Sequence, residues 1–198
     1  MSTIQLVYMN MLNKSDEEIV QMTLENINNY RYIIERYEGK LMRYIRGLLY
    51  VNTEDAEDIL QEVFIKAYRN LNSFNPKYKF SNWIYRIAHN EAVSFLRKNK
   101  KRKLEIANDP EKDIFENLAS DLDLEKEYME EDSAERVGKI LAKLDTKYRD
   151  VLVLKYLEGK DYNEISEILH IPSGTVGSLI SRAKIKLKDM MISDGGDK

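Results

Sequence analysis

The sequence predicts an all-α fold of two small helical domains joined by an acidic linker. Apolar residues recur three and four positions apart along most of the 198 residues, as they do on the buried face of an amphipathic helix. No stretch shows the alternation of apolar and polar residues that is typical of a half-buried strand. The 8 Gly and 3 Pro leave few positions that would interrupt a helix, and this length suits two small domains.

The first domain is predicted to occupy residues 15–103, after a flexible leader at residues 1–14. The sequence SDEE places Glu18 three residues after Ser15, which is the pattern of a capping box that begins a helix. A second helix is expected to end near Gly47 and the VNT turn that follows it. Its apolar stripe comprises Ile34, Tyr37, Leu41, Tyr44, Ile45 and Leu48.

Two further helices complete the first domain in this interpretation. The segment EDAEDILQEVFIKAYRNL follows Asn52 or Thr53 as its N-cap, and the segment FSNWIYRIAHNEAVSFLRKNKKRK has its N-cap at Ser81. The residues predicted to face the core are Ile59, Leu60, Val63, Phe64 and Ala67 in the former and Ile84, Ile87, Ala88 and Phe95 in the latter.

The polar side of EDAEDILQEVFIKAYRNL indicates a surface that binds another protein. A solvated acidic face is the common alternative for such a helix. Here, however, an amide and an apolar side chain lie among the charges, as they do in protein interfaces. This side of the helix consists of Asp58, Gln61, Glu62, Ile65 and Arg69.

Residues 74–103 combine aromatic rings with a net charge of +8, because they hold nine Lys or Arg and one Glu. Aromatic faces beside cations suit the unstacked bases of a single strand, at about 1–3 kcal/mol for each stacked base. The alternative is that the rings, Trp83 in particular, belong to the core. Tyr85 and Arg86 lie off the apolar stripe, which favours a functional role for both. The other rings in this segment are Phe74, Tyr78 and Phe80.

Residues 104–133 are predicted to be a linker because they combine few apolar runs with a large acidic excess. Residues 104–135 contain 13 Asp or Glu and 2 Lys, so the overall net charge of −3 conceals a basic patch followed by an acidic tether. Affinity for nucleic acid depends on local charge, and the acidic total therefore does not exclude such a partner. A tether of this kind predicts domains that move independently.

The second domain is predicted to span residues 134–192 as four helices, before a tail at residues 193–198. Asp145 is expected to cap TKYRDVLVLKYLEG, and Asp161 with Glu164 forms a second capping box in front of YNEISEILH. The first and last helices of this domain are AERVGKILAKL and TVGSLISRAKIKLKDMM.

The last two helices have the layout of a helix-turn-helix, which favours DNA binding over a merely solvated basic helix. Ser173 is the expected N-cap of the final helix, and Gly174 would let the backbone approach a phosphate. The stripe predicted to pack inward is Val176, Ile180, Ala183, Leu187 and Met190. The side chains left outside are Ser178, Ser181, Arg182 and Lys184.

The composition excludes several kinds of chemistry. Without Cys, the chain has no disulfide, thiol nucleophile or thiolate metal site. His89 and His170 lack a second ligand three or four residues away, and no phosphate loop, HExxH motif or Ser-His-Asp set is recognisable. We therefore expect no metal, no cofactor and no enzymatic activity. The first residues lack both a signal peptide and the roughly 20 apolar positions of a spanning helix, so a cytoplasmic location is expected.

Three motifs, in order, resemble the two-domain extracytoplasmic-function (ECF) class of bacterial RNA polymerase sigma factors, over about residues 25–192. EDAEDILQEVFIKAYRNL is similar to the polymerase-binding helix of region 2, FSNWIYRIAHNEAVSFLRKNKKRK to the promoter-melting segment, and IPSGTVGSLISRAK to the helix-turn-helix of region 4. The chain departs from many members of the class at Gly177 and Leu179, where a basic residue is common, and at Ser94, where Asp is common.

The resemblance implies three interfaces. The first partner would be polymerase core, bound at the clamp of its largest subunit and at its flap. The second would be promoter DNA, both as single strand and as duplex, and the third an anti-sigma factor. The implied contacts to core are Asp58, Gln61, Glu62, Ile65 and Arg69. The minus-ten element, with one base flipped into a pocket of the loop from Phe74 to Phe80, would meet Phe74, Tyr78, Phe80, Trp83, Tyr85, Arg86, Asn90, Arg97, Lys98, Lys100, Lys101 and Arg102. The minus-thirty-five duplex would meet Ser173, Thr175, Ser178, Ser181, Arg182 and Lys184.

Two other functions remain open at this point. The chain could be a free-standing helix-turn-helix repressor or activator whose first domain dimerises, or a helical protein-interaction module. A repressor would bind duplex operator alone and ignore polymerase core, whereas an interaction module would show no dependence on DNA.

Overall fold

The computed structural model describes residues 13–99 and 139–195, and the regular elements within these two ranges are helical, which confirms the predicted fold class. The predicted linker lies outside the described residues, as do Lys100, Lys101 and Arg102. Most of the predicted leader and the end of the predicted tail lie outside them as well.

The described part of the first domain is a bundle of amphipathic helices. Its elements are α1 (Asp16–Glu25), a 3₁₀ turn (Ile27–Asn29), α2 (Tyr30–Leu49), α3 (Thr53–Asn70), a second 3₁₀ turn (Leu71–Ser73) and α4 (Phe80–Lys98). The three longer helices pack on one another, and α1 packs against α2. Leu41, Val63 and Ile84, one from each apolar stripe, are fully buried, as their helical spacing predicts.

Two helices of this domain begin with the caps that the sequence predicts. The Ser15 hydroxyl accepts a hydrogen bond from the Glu18 amide at 3.1 Å, and the Glu18 carboxylate accepts one from the Ser15 amide at 2.8 Å. The capping box of α1 is therefore confirmed. Of the two candidates for α3, Asn52 is the N-cap, because its side chain accepts a hydrogen bond from the Asp55 amide at 2.8 Å.

The predicted N-cap at Ser81 is wrong, because α4 begins one residue earlier, at Phe80. The residue at the N-cap position makes no capping hydrogen bond with its side chain. Instead the Phe80 amide donates to the Glu17 carboxylate of α1 at 2.9 Å. An unpaired amide at the start of one helix is thus satisfied by a neighbouring helix, which sequence spacing does not reveal.

The predicted end of α2 near Gly47 and the VNT turn is confirmed, although Gly47 itself does not end the helix. The helix runs on to Leu49, and Tyr50 then takes the left-handed conformation with φ of 56°. Gly47 is buried inside the helix, where its backbone freedom costs helix propensity without ending the element.

The described part of the second domain carries the helix-turn-helix. Its elements are helical residues 139–143, α5 (Thr146–Leu152), a π-helical turn (Val153–Leu157), α6 (Tyr162–Leu169) and α7 (Ser173–Gly195). The sequence predicts one uninterrupted helix after Asp145, whereas the structure widens the second half of it into the π turn. Gly159 then reverses the chain with φ of 62°, a conformation that favours glycine.

The caps of the helix-turn-helix agree with the sequence at α6 and differ at α7. Asp161 accepts from the Glu164 amide at 2.8 Å, and the Glu164 carboxylate accepts from the Asp161 amide at 3.0 Å, which confirms the second capping box. The predicted N-cap at Ser173 is wrong, because Ser173 is already the first residue of α7. The Pro172 carbonyl accepts from the amides of the first turn instead.

The two domains pack against each other, although the linker predicts independent domains. The main contacts join α4 to α6 and α2 to the π turn. The buried guanidinium of Arg149 donates to the Leu48 carbonyl at 2.8 Å and to the carbonyls of Ala142 and Leu144 at 2.6 and 2.9 Å. One side chain of the second domain therefore holds the last turn of α2 in place.

A buried carboxyl group and a partly buried imidazole meet at this junction. Asp150 Oδ2 lies 4.0 Å from His89 Nδ1, and the Tyr44 hydroxyl lies 3.3 Å from the same nitrogen. Burial raises the pKa of Asp150 to about 7, against the opposing effect of Arg149. Burial also lowers the pKa of His89 to about 4. Between these values the folded pair keeps one proton, on the carboxyl group.

These two shifts predict opposite pH dependences of stability. The pKa of Asp150 is higher in the folded chain, so its contribution is complete below the unfolded pKa of 3.8 and is lost as the pH rises through 7. The free energy of unfolding of the native chain, relative to that of Asp150→Asn, should therefore fall by about 1.4 kcal/mol per pH unit between those values. Relative to His89→Gln, it should gain at a similar rate from about pH 4 to pH 6.5. Urea unfolding of the three chains at half-unit intervals measures both slopes, and parallel profiles would contradict the assignment.

Candidate nucleic-acid and protein interfaces

The predicted protein-binding face of α3 is an exposed surface. The structure leaves all five of its predicted residues in contact with solvent: Asp58, Gln61, Glu62, Ile65 and Arg69. The opposite stripe of α3 is buried against α2 and α4, and this packing sets the outward direction of the face. Sequence reasoning missed Tyr68, which is as exposed as Ile65 and lies three residues after it on the same helix. Together they form an apolar centre among charged neighbours.

Three of the predicted base-contacting rings form a cluster within the first domain. The ring centroids of Phe74 and Phe80 are 5.3 Å apart. The Trp83 ring centroid lies 5.6 Å from that of Phe74 and 5.4 Å from that of Phe80. Phe80 is fully buried and Phe74 nearly so, while Trp83 is half-buried. The expectation that Phe80 offers a stacking face is therefore wrong for this conformation, because its ring packs on Tyr37 and on the cluster. Tyr78, in the same loop, is exposed.

Tyr85 and Arg86 are covered by the second domain. Tyr85 is 2% exposed, so the expectation of a free ring on the polar side of α4 is wrong in this conformation. Its hydroxyl donates to the Glu158 carboxylate. Burial, and then the charge of that carboxylate, raise the pKa of Tyr85. The Arg86 guanidinium donates to the Glu167 carbonyl, through Nε at 3.0 Å.

Asn82 is a buried polar residue of the same face that sequence reasoning missed. Its amide nitrogen donates to the Glu167 carboxylate at 2.7 Å. It lies four residues before Arg86, a spacing that places both on one side of a helix and could have identified it. The C-terminal half of α4 differs, because Asn90, Arg97 and Lys98 are exposed there.

A cleft of about 630 Å³ separates the loop before α4 from the helix-turn-helix. The first domain contributes Tyr78, Trp83 and Arg86 to its wall, and the second contributes Glu167 and His170. The sequence interpretation places the pocket for a flipped base in this loop, and the structure puts an open cavity beside it.

The outward face of α7 agrees with the helix-turn-helix interpretation. Five of its six predicted DNA-facing residues are exposed: Ser173, Thr175, Ser178, Ser181 and Arg182. Lys184 is half-buried, with its ammonium 5.9 Å from the centre of the Tyr156 ring. The inward stripe is buried as predicted up to Leu187, but Met191 replaces Met190 as its buried last member.

Gly177 does not belong to the outward face of α7. A side-chain carbon added there would lie 3.4 Å from the Tyr162 ring of α6. The basic residue that many members of the class carry at this position would therefore point toward α6 in this arrangement. Leu179 is half-buried as well.

The described residues contain neither a metal-binding cluster nor a membrane-spanning helix. Within residues 13–99 and 139–195, no group of three or more His, Asp or Glu side chains is arranged to hold a metal ion. None of the helices in these ranges is long and apolar enough to cross a membrane.

Comparison with known protein families matches both domains. Residues 33–102 match Sigma-70 region 2, and residues 134–187 match Sigma-70, region 4. The chain is 36% identical to the ECF RNA polymerase sigma factor SigW of Bacillus subtilis (strain 168), over 80% of this chain and 87% of that protein. It is 35% identical to the ECF RNA polymerase sigma-E factor of Haemophilus influenzae, over 78% of this chain and 83% of that protein.

Solved structures agree on the fold. CnrH, in complex with the cytosolic domain of CnrY, aligns with a TM-score of 0.68 at 23% identity and covers 91% of this chain and 99% of its own. The sigma factor RpoE, in complex with the anti-sigma factor NepR from Bartonella quintana, aligns with a TM-score of 0.65 at 20% identity and covers 86% and 99%. The sequence matches extend over both domains and the fold agrees, so this chain belongs to the ECF class of RNA polymerase sigma factors.

Proposed function

We propose that this sigma factor uses three separate helical faces to direct initiation: α3 for RNA polymerase core, α4 for the minus-ten element and α7 for the minus-thirty-five element. The observation that carries the proposal is the match to ECF sigma factors over both domains, with the α3 and α7 faces exposed. A free-standing regulator would need neither the region 2 sequence nor an exposed α3 face. The chain acts as a specificity subunit of polymerase in the cytoplasm, without a cofactor and without catalysis of its own.

The α3 face suits docking on another protein. Its apolar centre, Ile65 and Tyr68, is surrounded by charged and amide side chains, which is the pattern of an apolar core with a polar rim. In our proposal this face binds the clamp of the largest polymerase subunit, and region 4 contacts the flap. The complexes of CnrH and RpoE support a further proposal, that an anti-sigma factor also binds this chain.

The end of α4 and the first turns of α7 suit DNA in two different forms. Arg97 and Lys98 are exposed at the end of α4, just before the remaining cations of the basic segment. In our proposal they hold phosphates of the separated nontemplate strand, while Tyr78 and Trp83 receive bases beside the cleft. The exposed hydroxyls and Arg182 of α7 contact the intact duplex in its major groove.

Ile65→Asp should weaken binding to purified polymerase core by at least about tenfold, because a charge would enter the apolar centre of the docked face. The fold should remain intact, since Ile65 is exposed. Leu24→Asp on α1 is a matched control, because Leu24 is exposed to a similar degree, at 43% against 41%. Titration of labelled sigma factor with core measures the affinity, and equal affinities of the two variants would contradict the docking face.

Reversal of Arg97, Lys98, Lys101 and Arg102 to Glu should reduce open-complex formation by at least about tenfold while core affinity changes little. The reason is that these cations contact phosphates rather than polymerase in our proposal. Lys14→Glu with Lys40→Glu is a control that reverses cations elsewhere in the chain. Permanganate footprinting of the melted region measures opening. A normal yield of open complex would contradict the role of the basic segment in holding phosphates.

Arg182→Ala should weaken holoenzyme binding to a duplex upstream fragment and should lower the slope of log affinity against log salt by about 1, as expected for one lost phosphate contact. If Arg182 reads a base edge instead, sequence preference will relax with an unchanged salt slope. Lys188→Ala, farther along α7, is the control. If the Arg182→Ala holoenzyme matched this control in affinity, salt slope and sequence selectivity, Arg182 would be excluded from the interface.

A further inference from the structure

Two exposed lysines of the second domain converge on one tyrosine ring. The Lys147 ammonium, at the start of α5, lies 5.0 Å from the centre of the Tyr148 ring. The Lys186 ammonium of α7 lies 5.4 Å from the same centre. The ring is buried, at 7% exposed, where α5 packs against α7, whereas both lysines are exposed. The packing of the two helices therefore brings two positive charges together, which we call the lysine pair.

The lysine pair has no internal counter-charge in the part of the chain that the structure describes. Within residues 13–99 and 139–195, neither ammonium forms an ion pair with a carboxylate. The ring attracts each ammonium but accepts no conventional hydrogen bond, so the N–H groups remain available to another acceptor. Two neighbouring positive charges also raise the local potential, which an anion from outside would lower.

The lysine pair continues the duplex-facing side of α7. Lys186 lies four residues after the exposed Arg182, so the two side chains leave the same flank of the helix. Gly177 lies nine residues before Lys186, hence on the opposite flank, and it faces α6. One flank of α7 therefore adjoins α6, and the other carries cations from Arg182 toward the start of α5.

Phosphates of duplex DNA suit this surface better than an acidic protein does. A helix in the major groove has a phosphate backbone on either side of it, so the flank of α7 that adjoins α5 would meet one of the two strands. An ammonium group is a compact, strongly hydrated point charge that binds phosphates without requiring a fixed geometry. Lysine is depleted in protein–protein interfaces, which favours DNA as the partner.

We propose that Lys147 and Lys186 form a phosphate site that extends the duplex interface of region 4 from α7 onto α5. The proposal rests on the proposed function of α7. The Tyr148 ring holds both ammonium groups near one place, so less side-chain freedom is lost when they bind the DNA backbone. Contacts of this kind carry no sequence information, and they fix the position of the duplex against α7.

The first test removes both charges with Lys147→Gln and Lys186→Gln in one chain. Holoenzyme with this variant should bind a duplex minus-thirty-five fragment, taken from a promoter selected with the native factor, about tenfold more weakly at physiological salt. The slope of log affinity against log salt should fall by about 2, because each phosphate contact contributes about 0.9. The preference among altered minus-thirty-five sequences should not change, since the lysine pair reads no base.

A charge-matched control is Lys40→Gln with Lys188→Gln. Lys40 also lies near a tyrosine ring, 5.5 Å from the centre of Tyr37, but in the first domain. Lys188 is exposed on the flank of α7 opposite Lys186. This control should keep the native affinity and salt slope. Each single change, Lys147→Gln or Lys186→Gln, should lower the slope by about 1, so the test does not depend on the double variant alone.

The second test locates the contacted phosphates. A neutral methylphosphonate replaces one phosphate at a time along both strands of the fragment, and the affinity of native holoenzyme should fall at each phosphate that the protein contacts. Holoenzyme with both lysines changed should be insensitive at the phosphates of the proposed site and should keep its sensitivity at the others. Such coupling between one phosphate and one pair of side chains indicates a direct contact and not an indirect effect on the fold.

The outcomes separate the phosphate site from the function on which it rests. If the double variant matches its control in affinity and salt slope, the phosphate site is overturned while the function of α7 stands. If the variant loses affinity for core and its holoenzyme keeps the native salt slope on duplex, the lysine pair binds an acidic protein surface, which also overturns the site. If native holoenzyme prefers no minus-thirty-five sequence, the proposed function of α7 fails, and the site with it. A lower slope together with selective loss of methylphosphonate sensitivity supports the proposal.

Discussion

The buried carboxylate of Glu158 determines how the two domains meet. It accepts a hydrogen bond from Tyr85 and lies within 3.3 Å of Arg43, both in the first domain. A buried carboxylate is stable only where donors surround it, so this contact favours the packed placement of the domains. The π turn and the glycine reversal at Gly159 flank Glu158 in the chain. The junction with α4 depends on this local backbone geometry.

Helix α4 is central to the protein because it packs on both domains, with a different face toward each. Its apolar stripe packs permanently in the first domain, whereas its polar side meets the second domain through hydrogen bonds and ion pairs. Polar contacts between domains are exchanged for water or for another polar partner more readily than apolar ones.

The remaining faces show how one small chain can address several partners at once. The α3 face has an apolar centre and suits a protein, whereas α7 presents hydroxyls and a guanidinium and suits duplex DNA. These faces lie on different helices from the domain junction. The Asp150 and His89 pair adds a dependence on pH at the junction between the domains.

Local physics explains what the sequence by itself determined. The helical class, the buried stripes of α2, α3 and α4, and the capping boxes at Ser15 and Asp161 follow from periodicity and from hydrogen bonds within a few residues. The motifs of both regions also identified the family. Only the tertiary structure decided that Glu17 caps α4, that Phe80 is core and that Tyr85 is covered, because these depend on partners far away in the chain. Tyr85 and Glu158 are 73 residues apart, and no local pattern encodes contact across such a distance.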